Sequence, residues 1–337
     1  MGDLSKLFEN ALLEIKSARR IIIHRHTRPD GDAYGSQLGL YLLVKANYPD
    51  KEVYMVGDAN ERLSFMLEGR TMDDIPSSFY TDSLAVIMDT SAPALISDDR
   101  WTLAGRTLRF DHHLFLGRIA DVEVIDSSFE SCCGILASFA KECSLDVPDD
   151  AAQAIFTGIV TDSGRFRYDA VNARTFELAA FLMQRNIDTS SIYRSLYTDD
   201  LSFVKLRAKF ALRIKTTEHN VAYTYTTKEE LLEDGIDAPT AARAFVNVMG
   251  DIKGVDIWVA FAEGDDGIAC ELRAANCNIN PIAVKYGGGG HAKASGATVN
   301  THSLAMDMLK DLDGMAAGLI AEDSGKQSEE SNIMETK

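Results

Sequence analysis

Short apolar runs that each lead into an acidic residue or a histidine recur through the first half of the chain. The runs at Arg20–His24 (RIIIH), 84–88 (LAVIM) and 107–110 (TLRF) have the length and composition of buried strands, and helical patterns lie between them. Alternating strands and helices predict βαβ units around a parallel sheet. Because the carboxyl ends of parallel strands share one edge, the side chains that follow these runs are expected to meet in one crevice.

This alternation stops near residue 190 and divides the chain of 337 residues into two predicted domains. Residues 1–188 predict an α/β domain built on the parallel sheet, and residues 189–215 predict a helical connector. Residues 216–322 alternate mainly like strands, which indicates a smaller mixed α/β domain. Residues 323–337 contain no aromatic and few apolar side chains, so we expect a disordered tail there.

Six side chains at or near the strand ends and one helix end form a candidate ligand set for divalent cations. They are His26, Asp30, Asp32, Asp89, His112 and Asp162. Carboxylates and imidazoles suit divalent cations, and so many carboxylates in one place would repel each other unless cations neutralise them. Asp89 stands alone after its run, which makes it the natural bridge between two metals. Two divalent metals stabilise in-line displacement at phosphorus, so this set indicates phosphoester hydrolysis.

Each of these residues also has a purely structural interpretation when it is taken alone. An aspartate after a strand, such as Asp89 before Thr-Ser, is typical of a helix cap or a turn. His24 lies two residues before His26 and is expected to pack on the other side of the strand end. The shared placement of several such residues is what favours a metal site over separate caps and turns.

A second unusual segment is the run of four glycines at 287–290, followed by His291 and Lys293. Glycine lets backbone N–H groups approach an anion closely, and the two basic side chains have the right sign for one. The spacing fits neither a Rossmann fingerprint nor a Walker loop. Residues 272–306 contain no Asp or Glu, which indicates a local basic pocket for an anion. The alternative is an apolar strand and loop that merely lack acids.

The sequence resembles the DHH phosphoesterase superfamily at all of these places. HTRPDGDAYGS, the isolated Asp89, the Asp-His-His at 111–113 and Asp162 resemble its four motifs in the right order. The glycine-rich segment resembles the DHH-associated C-terminal domain. The opening HRHTRPDGDAYGSQLGL and the two-domain length are most similar to the NrnA-like bifunctional oligoribonucleases and pAp phosphatases.

This resemblance implies a role for each matching residue. One metal, usually Mn²⁺, would be held by His26, Asp30 and Asp89, and a second by Asp32, Asp89, His112 and Asp162. Asp111 would orient a neighbouring ligand, and His113 would lie near the scissile phosphate. Substrate would be held by Arg273, Gly289, Gly290 and His291, with further phosphate contacts from Lys293, Arg28 and Arg165. Ala274 departs from the serine usual after the arginine, which puts one substrate contact in doubt.

By the same resemblance, we expect a phosphohydrolase for very short oligoribonucleotides and for 3′-phosphoadenosine 5′-phosphate (pAp), with either cleavage polarity. One alternative is a phosphodiesterase for pApA or cyclic di-AMP, because the same pocket would accept either. A family II pyrophosphatase fits less well, because its lysine-rich phosphate grip is not reproduced here. From another class, a nucleotide-binding regulator without activity is the remaining alternative, and the complete ligand set argues against it.

The net charge and the cysteine content limit which binding partners and which cellular location are expected. The formal net charge of −17 argues against a protein that coats long duplex DNA, because such binding depends on Lys and Arg neutralising phosphates. Five cysteines without a CxxC pair suit a reducing compartment, and no apolar stretch approaches a membrane span. We therefore expect a cytoplasmic enzyme without a membrane partner. The oligomeric state is left open, with a homodimer as one option.

Overall fold

The structure is a computed structural model that describes the backbone of residues 4–334 and the side chains of residues 4–319. The chain forms two compact units, Met1–Thr198 and Asp199–Lys337. The division falls between two helices of the region expected to connect the domains, so that region is split between the units.

The first unit is built on a five-stranded sheet in which every neighbouring pair is parallel. Its strands are β1 (Arg20–His24), β2 (Glu52–Met55), β3 (Ser83–Met88), β4 (Arg106–Asp111) and β5 (Val122–Ile125). Its helices are α1 (Leu4–Ser17), α2 (Gly31–Asn47), α3 (Cys132–Glu142), α4 (Asp149–Asp162), α5 (Ala173–Leu182) and α6 (Thr189–Tyr197). The predicted parallel sheet is confirmed, with β5 as an additional edge strand.

In the strand order β2-β1-β3-β4-β5, β2 lies on one side of β1, whereas β3, β4 and β5 follow on the other side. The order in which strands are added to the sheet therefore reverses between β1 and β3. Ligands of open α/β sheets bind beyond the carboxyl ends of the strands at such a reversal. Strand β3 is buried along its whole length, and β1 is buried from Ile21 to His24. The two strands therefore form the rigid centre of the sheet, and the loops that follow them open into the crevice.

Glycines let the helices on one side of this sheet approach closely. A Cβ atom at Gly35 of α2 would lie 2.6 Å from the carbonyl oxygen of Ala154 in α4. A Cβ atom at Gly158 of α4 would overlap Sγ of Cys133 in α3. Real Cβ atoms need more room than this, so glycine is required at both positions for three helices to pack together.

The second unit is a smaller α/β unit on a six-stranded mixed sheet of order β10-β11-β9-β8-β7-β6, in which only β7 and β8 pair in parallel. Its strands are β6 (Lys215–Thr216), β7 (Ala222–Thr226), β8 (Ile257–Gly264), β9 (Gly267–Ala274), β10 (Gly289–Gly290) and β11 (Ala294–Val299). Its helices are α7 (Leu201–Leu212), α8 (Lys228–Asp234), α9 (Ala238–Phe245), α10 (Asn280–Lys285) and α11 (His302–Met334). Alternate residues of β8 enter two separate cores, with Val259 on one side and Trp258 on the other.

Helix α11 continues to Met334, whereas the sequence predicted a disordered tail at 323–337. The stretch 323–334 contains no proline, and its Lys, Gln and Glu residues are good helix formers. Residues 335–337 lie outside the described part of the chain. Among the helices of the described residues, none combines the length and apolar character that a membrane span requires.

Candidate metal centre

The loop after β1 brings His26 and Asp30 next to Asp89, which follows β3. Nε2 of His26 lies 3.5 Å from Oδ2 of Asp89 and 3.8 Å from Oδ1 of Asp30. Asp30 is also the N-cap of α2, because its carboxylate accepts hydrogen bonds from the backbone N–H groups of Asp32 and Ala33. Asp30 is thus a helix cap, as the structural interpretation of a strand-end aspartate predicts. It is at the same time one of the candidate metal ligands.

A second group contains His112, Asp32 and Asp162. Nε2 of His112 lies 3.9 Å from Oδ2 of Asp32 and 3.4 Å from Oδ2 of Asp162. Asp32 is held from behind, because its two oxygens accept hydrogen bonds from the N–H groups of Cys132 and Cys133 at the start of α3. The close packing of α2 on α4 brings Asp32 and Asp162, which lie on those two helices, within reach of one ion.

Asp89 lies between the two groups. Its Oδ2 faces Nε2 of His26, and its Oδ1 lies 3.5 Å from Nε2 of His112. Oδ1 is buried and has no hydrogen-bond partner, which is costly for a carboxylate unless another group satisfies it. The backbone of Asp89 has φ 49°, a left-handed conformation that non-glycine residues rarely adopt and that concentrates at functional sites.

Both histidines present the same ring nitrogen to the carboxylates. Nδ1 of His26 lies 2.8 Å from the carbonyl oxygen of Thr27, and Nδ1 of His112 lies 3.4 Å from that of Phe129. Histidines that bind metals commonly donate one ring N–H to a backbone carbonyl in this way, which fixes the other nitrogen toward the ion. In both residues that other nitrogen is Nε2, the atom that faces the aspartates.

The charges of this cluster are not balanced by the protein groups alone. Burial, followed by repulsion from Asp89 and Asp30, raises the pKa of Asp32 well above its usual range. Burial and repulsion from Asp32 raise the pKa of Asp162 to about 8. Burial opposes protonation of His26, but its hydrogen bonds to Asp30 and Asp89 outweigh this and raise its pKa to about 11. The carboxylates of the cluster therefore repel one another more than the nearby protein groups compensate, and a bound cation would stabilise them.

These residues fit divalent cations. The orphaned oxygen of Asp89, the fixed Nε2 atoms and the excess of carboxylates are all features that an ion would satisfy. One set with metal-ligand spacing contains His26, Asp30 and Asp89, the residues expected for one metal. Another contains Asp32, His112 and Asp162, which are three of the four residues expected for the second metal, and lacks Asp89. A third set joins Asp89, His112 and His113.

Asp111 and His113 form a pair beside this cluster. Asp111 is fully buried at the end of β4, where it contacts the fully buried guanidinium of Arg109. Its Oδ1 lies 2.7 Å from Nδ1 of His113, and this hydrogen bond raises the pKa of the imidazole. The ring of His113 is 44% exposed, and its Nδ1 lies 3.6 Å from Oδ1 of Asp89. Asp111 thus fixes a histidine at the edge of the cluster.

Sequence reasoning missed the residues that hold the loop after β1. Asp58 accepts a hydrogen bond from the N–H group of Arg28 and pairs with the buried Arg25, with Nη1 3.2 Å from Oδ1. Asp58 follows β2 after a short turn, so the rule that identified Asp89 would also have identified Asp58. Its role is to hold the loop that carries His26 and Asp30.

The two loop arginines differ in their surroundings. Arg28 has φ 52° and an exposed side chain, and its backbone is tied to Asp58. Arg165 has φ 63°, and its guanidinium carbon lies 4.6 Å from the centre of the Tyr197 ring. Arg165 therefore already has an aromatic partner, whereas Arg28 projects from a strained loop between two candidate ligands.

In the second unit, the glycine-rich segment lines a cavity of about 640 Å³. Arg273, Gly289 and Gly290 are among its lining residues, whereas His291 and Lys293 follow in the same loop but are not. Two charged lining residues, Arg243 and Glu271, were not predicted. Arg243 of α9 donates to Oε1 of Glu271 at 3.2 Å, and Arg273 donates to Oε2 of the same carboxylate at 3.0 Å.

The positive charge of this cavity is therefore lower than the acid-free stretch suggested. Glu271 lies one residue before that stretch and pairs with both arginines. Lys285 pairs with Asp311, just beyond its other end, with Nζ 2.6 Å from Oδ2. Glu271 and Asp311, which flank the acid-free segment in the sequence, thus form ion pairs with Arg273 and Lys285 inside it. A count of acids along the sequence cannot detect such pairs.

Comparison with known proteins identifies a known family for each unit. Residues 20–159 match the DHH family, N-terminal domain, and residues 218–318 match the DHHA1 domain. The bifunctional oligoribonuclease and PAP phosphatase NrnA of Bacillus subtilis is 33% identical over 296 residues, which cover 87% of this chain and 93% of that protein. The probable enzyme of the same name from Streptococcus mutans is 33% identical over 300 residues, which cover 88% and 94%.

A solved structure agrees with these matches. The crystal structure of an exopolyphosphatase-related protein from Bacteroides fragilis superposes with a TM-score of 0.82 at 25% sequence identity, covering 94% of this chain and 98% of that one. Fold, motif order and near full-length similarity coincide. The chain belongs to the DHH phosphoesterase family, among the NrnA-like proteins.

Proposed function

We propose that this metal-dependent phosphohydrolase acts on very short oligoribonucleotides and on pAp, with two divalent cations, Mn²⁺, at the candidate metal centre. The observation that carries the proposal is the position of Asp89, whose two oxygens face His26 and His112 in different ligand groups. A carboxylate in that position is what two neighbouring cations share. The relatives described above are named as oligoribonucleases and PAP phosphatases, which supports the substrate class.

His26, Asp30 and Asp89 would hold one cation, and Asp32, Asp89, His112 and Asp162 the other. When bound, two cations supply Lewis-acid stabilisation of phosphate charge and an activated water molecule. The protein contributes a rigid arrangement, because Asp32 is fixed by the start of α3 and the histidines by backbone carbonyls. Such preorganisation avoids reorganisation of the site during the reaction.

His113 would contact the scissile phosphate. Its Nδ1 is engaged by Asp111, which leaves Nε2 of a partly exposed ring free. As an imidazolium, the form that its raised pKa favours, the ring can donate from Nε2 to a phosphate oxygen. Arg28 would add a second donor from the loop after β1, and Arg165 would do so only by leaving Tyr197. These are binding and orienting roles, and of the three side chains only Arg165 would have to leave its present partner to fill one.

The glycine-lined cavity of the second unit would bind a nucleotide. Arg273 and the glycine backbone would bind its phosphate or base, and His291 and Lys293 would contribute from the same loop. The two arginines and Glu271 leave one net positive charge in the cavity, which suits an anion. The net charge of −17 agrees with exclusion of long nucleic acid. All five cysteines are free, which supports a reducing, cytoplasmic location.

A substrate panel tests this function. The metal-stripped protein, reloaded with Mn²⁺, Co²⁺ or Mg²⁺, is incubated with an RNA dinucleotide, a 20-nucleotide RNA, pAp, pApA and cyclic di-AMP. We expect release of mononucleotide from the dinucleotide and of phosphate from pAp, and little from the long RNA. Faster turnover of pApA or cyclic di-AMP would favour the cyclic-dinucleotide alternative. Tight nucleotide binding without turnover under any metal would favour a regulator.

The metal assignment has its own control. Asp89→Asn keeps the shape of the side chain but removes the shared charge, whereas Asp50→Asn makes the same change at an exposed position. Metal analysis of the purified proteins should find two bound ions per chain for the wild type and Asp50→Asn. It should find fewer for Asp89→Asn. Equal metal content in all three proteins would contradict the assignment of Asp89.

A further inference from the structure

We propose that Leu114, Phe115 and Leu116, here called the apolar rim, form a binding platform for a nucleobase of the substrate whose phosphate occupies the metal centre. This inference rests on the proposed nucleotide substrate. It adds a base-recognition site directly after His113 in the chain. The site consists of apolar side chains and takes a planar base by stacking and van der Waals contact.

The apolar rim is unusually exposed. Leu114 is 74% exposed, Phe115 61% and Leu116 76%. Three consecutive large apolar side chains in water are a contiguous patch and not the scattered apolar exposure that is normal on protein surfaces. Exposed apolar groups beside a charged site are typical of a surface that a ligand covers.

The loop that carries the rim is held at both ends by one buried ion pair. At its start, the N–H group of His113 donates to Oδ1 of Asp111 at 3.3 Å. At its end, the carbonyl oxygen of Gly117 accepts a hydrogen bond from Nη1 of Arg109 at 3.5 Å. Arg109 and Asp111 contact each other and are both fully buried. The ion pair therefore fixes the position of the rim relative to His113.

The size of the metal centre requires most of a nucleotide to lie outside it. The cavity there has a volume of about 210 Å³. It is lined by five of the six candidate ligands, all except Asp32, and by Thr27, Thr90, Ser91, Leu95 and His113. Cavities that enclose a drug-sized molecule measure roughly 300–1,000 Å³. A phosphate group fits, and the attached nucleoside must extend over the edge. The apolar rim begins one residue after His113, a lining residue, and so lies at that edge.

The chemistry of the rim selects the base as the part it contacts. The side chains that line the metal centre are mainly carboxylates and imidazoles, which suit ions and phosphate. The rim offers neither charge nor a side-chain hydrogen-bond donor, so it cannot bind phosphate or distinguish ribose hydroxyls. A base has an apolar face, and stacking on an aromatic side chain is tolerant of base identity. Phe115 supplies the aromatic ring.

The test compares substrates with and without a base. Phe115→Ser and Phe115→Trp are assayed with Mn²⁺ on an RNA dinucleotide and on two analogues, each abasic at one position. Phe115→Ser should raise KM for the dinucleotide about tenfold, the size of one stacking contact, with kcat within about twofold. For the analogue that lacks the contacting base, wild type and Phe115→Ser should have equal KM. Phe115→Trp should restore the wild-type KM.

Binding measurements separate this inference from the proposed function. Calorimetry of the Mn²⁺-loaded protein with AMP and with ribose 5-phosphate should show weaker AMP binding in Phe115→Ser and unchanged ribose 5-phosphate binding. That result together with no hydrolysis would support the rim while refuting the proposed function. Leu13→Ser, which alters a 63% exposed leucine of α1, serves as the matched control. A base-independent loss in Phe115→Ser, or a change of its oligomeric mass in solution, would overturn the inference in favour of a structural role or a contact between copies.

Discussion

Oδ1 of Asp111 lies 2.7 Å from Nδ1 of His113, and the same carboxylate contacts Arg109 in the buried end of β4. The imidazole is therefore oriented by a group that is itself immobile. A carboxylate–imidazole pair of this kind fixes both the ring plane and the tautomer of the histidine. Side-chain contacts thus link His113 to Asp111 and Asp111 to Arg109, so that the orientation of the imidazole depends on a buried ion pair.

Asp111→Asn is expected to lower kcat while leaving KM nearly unchanged. Asparagine fits the space but loses the charge that orients and polarises His113, and losses of about 10–100-fold are typical when such a supporting partner is removed. Steady-state kinetics on the dinucleotide, with metal analysis of the same protein, measures this effect. A purely structural role for Asp111 would instead show as lost metal or raised KM.

Arg109→Met is expected to lower the free energy of unfolding by about 3 kcal/mol, because it leaves the buried Asp111 without its cation. Arg106→Met is the matched control on the same strand, since Arg106 is 50% exposed and pairs with Glu14 at the surface. It should cost less than about 1 kcal/mol. Urea unfolding of both variants provides the comparison, and equal losses would refute the distinction between the two ion pairs.

Glu271→Gln is expected to strengthen binding of inorganic phosphate to the second unit. The change removes the negative charge that neutralises one of the two arginines and keeps an acceptor oxygen for only one of them, because Arg243 donates to Oε1 and Arg273 to Oε2. A unit charge at 4 Å in water is worth about 1 kcal/mol, or about fivefold in affinity. Calorimetry at low salt measures the gain, which should shrink as salt screens the charges. Weaker binding would show that Glu271 acts mainly by ordering the arginines.

Asp98 is expected to contribute stability that depends on pH. Burial opposes its ionisation, but hydrogen bonds from Arg100 and Tyr80 outweigh this and lower its pKa to about 2. Because this value lies below the unfolded pKa of about 3.9, the contribution is complete above that pH and is lost as pH falls toward 2. Urea unfolding of wild type and Asp98→Asn should differ by about 1–2 kcal/mol at pH 6 and by progressively less below pH 4. A constant difference would contradict the low pKa.

Gly158→Ala is expected to destabilise the first unit by about 1–3 kcal/mol, because the added methyl group would overlap Sγ of Cys133. Helix α4 carries Asp162 at its end, so metal affinity should fall as well. Gly314→Ala makes the same change within α11, where the new methyl group meets no atom within 4 Å. That variant should be stabilised by about 0.5–1 kcal/mol. Thermal unfolding and metal titration of both proteins distinguish the two outcomes.

The part of the fold that local pattern controls could be predicted from the sequence. The buried strands β1 and β3 are runs of apolar residues, and their order along the chain places the polar residues after them at one sheet edge. Strand β5 was missed because its four residues, VEVI, are mostly half-buried and carry a weak signal. His24 is buried against Tyr80 as expected, and burial lowers its pKa to about 4.

The partners of the charged residues could not be predicted, because they depend on folding. Asp58 and Asp30 lie 28 positions apart, yet both support the loop after β1. Glu271 and Asp311 flank the acid-free segment and neutralise part of its charge. A count of charges along the sequence records how many acids and bases exist but not which of them face each other.

The left-handed backbone of Asp89 has a consequence for engineering. Glycine would adopt φ 49° without strain, and a residue with a side chain pays roughly 1–3 kcal/mol to do so. Selection for thermal stability alone would therefore favour Asp89→Gly and other substitutions that remove the backbone strain in the turn after β3. Under the metal-binding role proposed for Asp89, the selected variants would be more stable but inactive, so each round of a thermal screen also needs an activity assay.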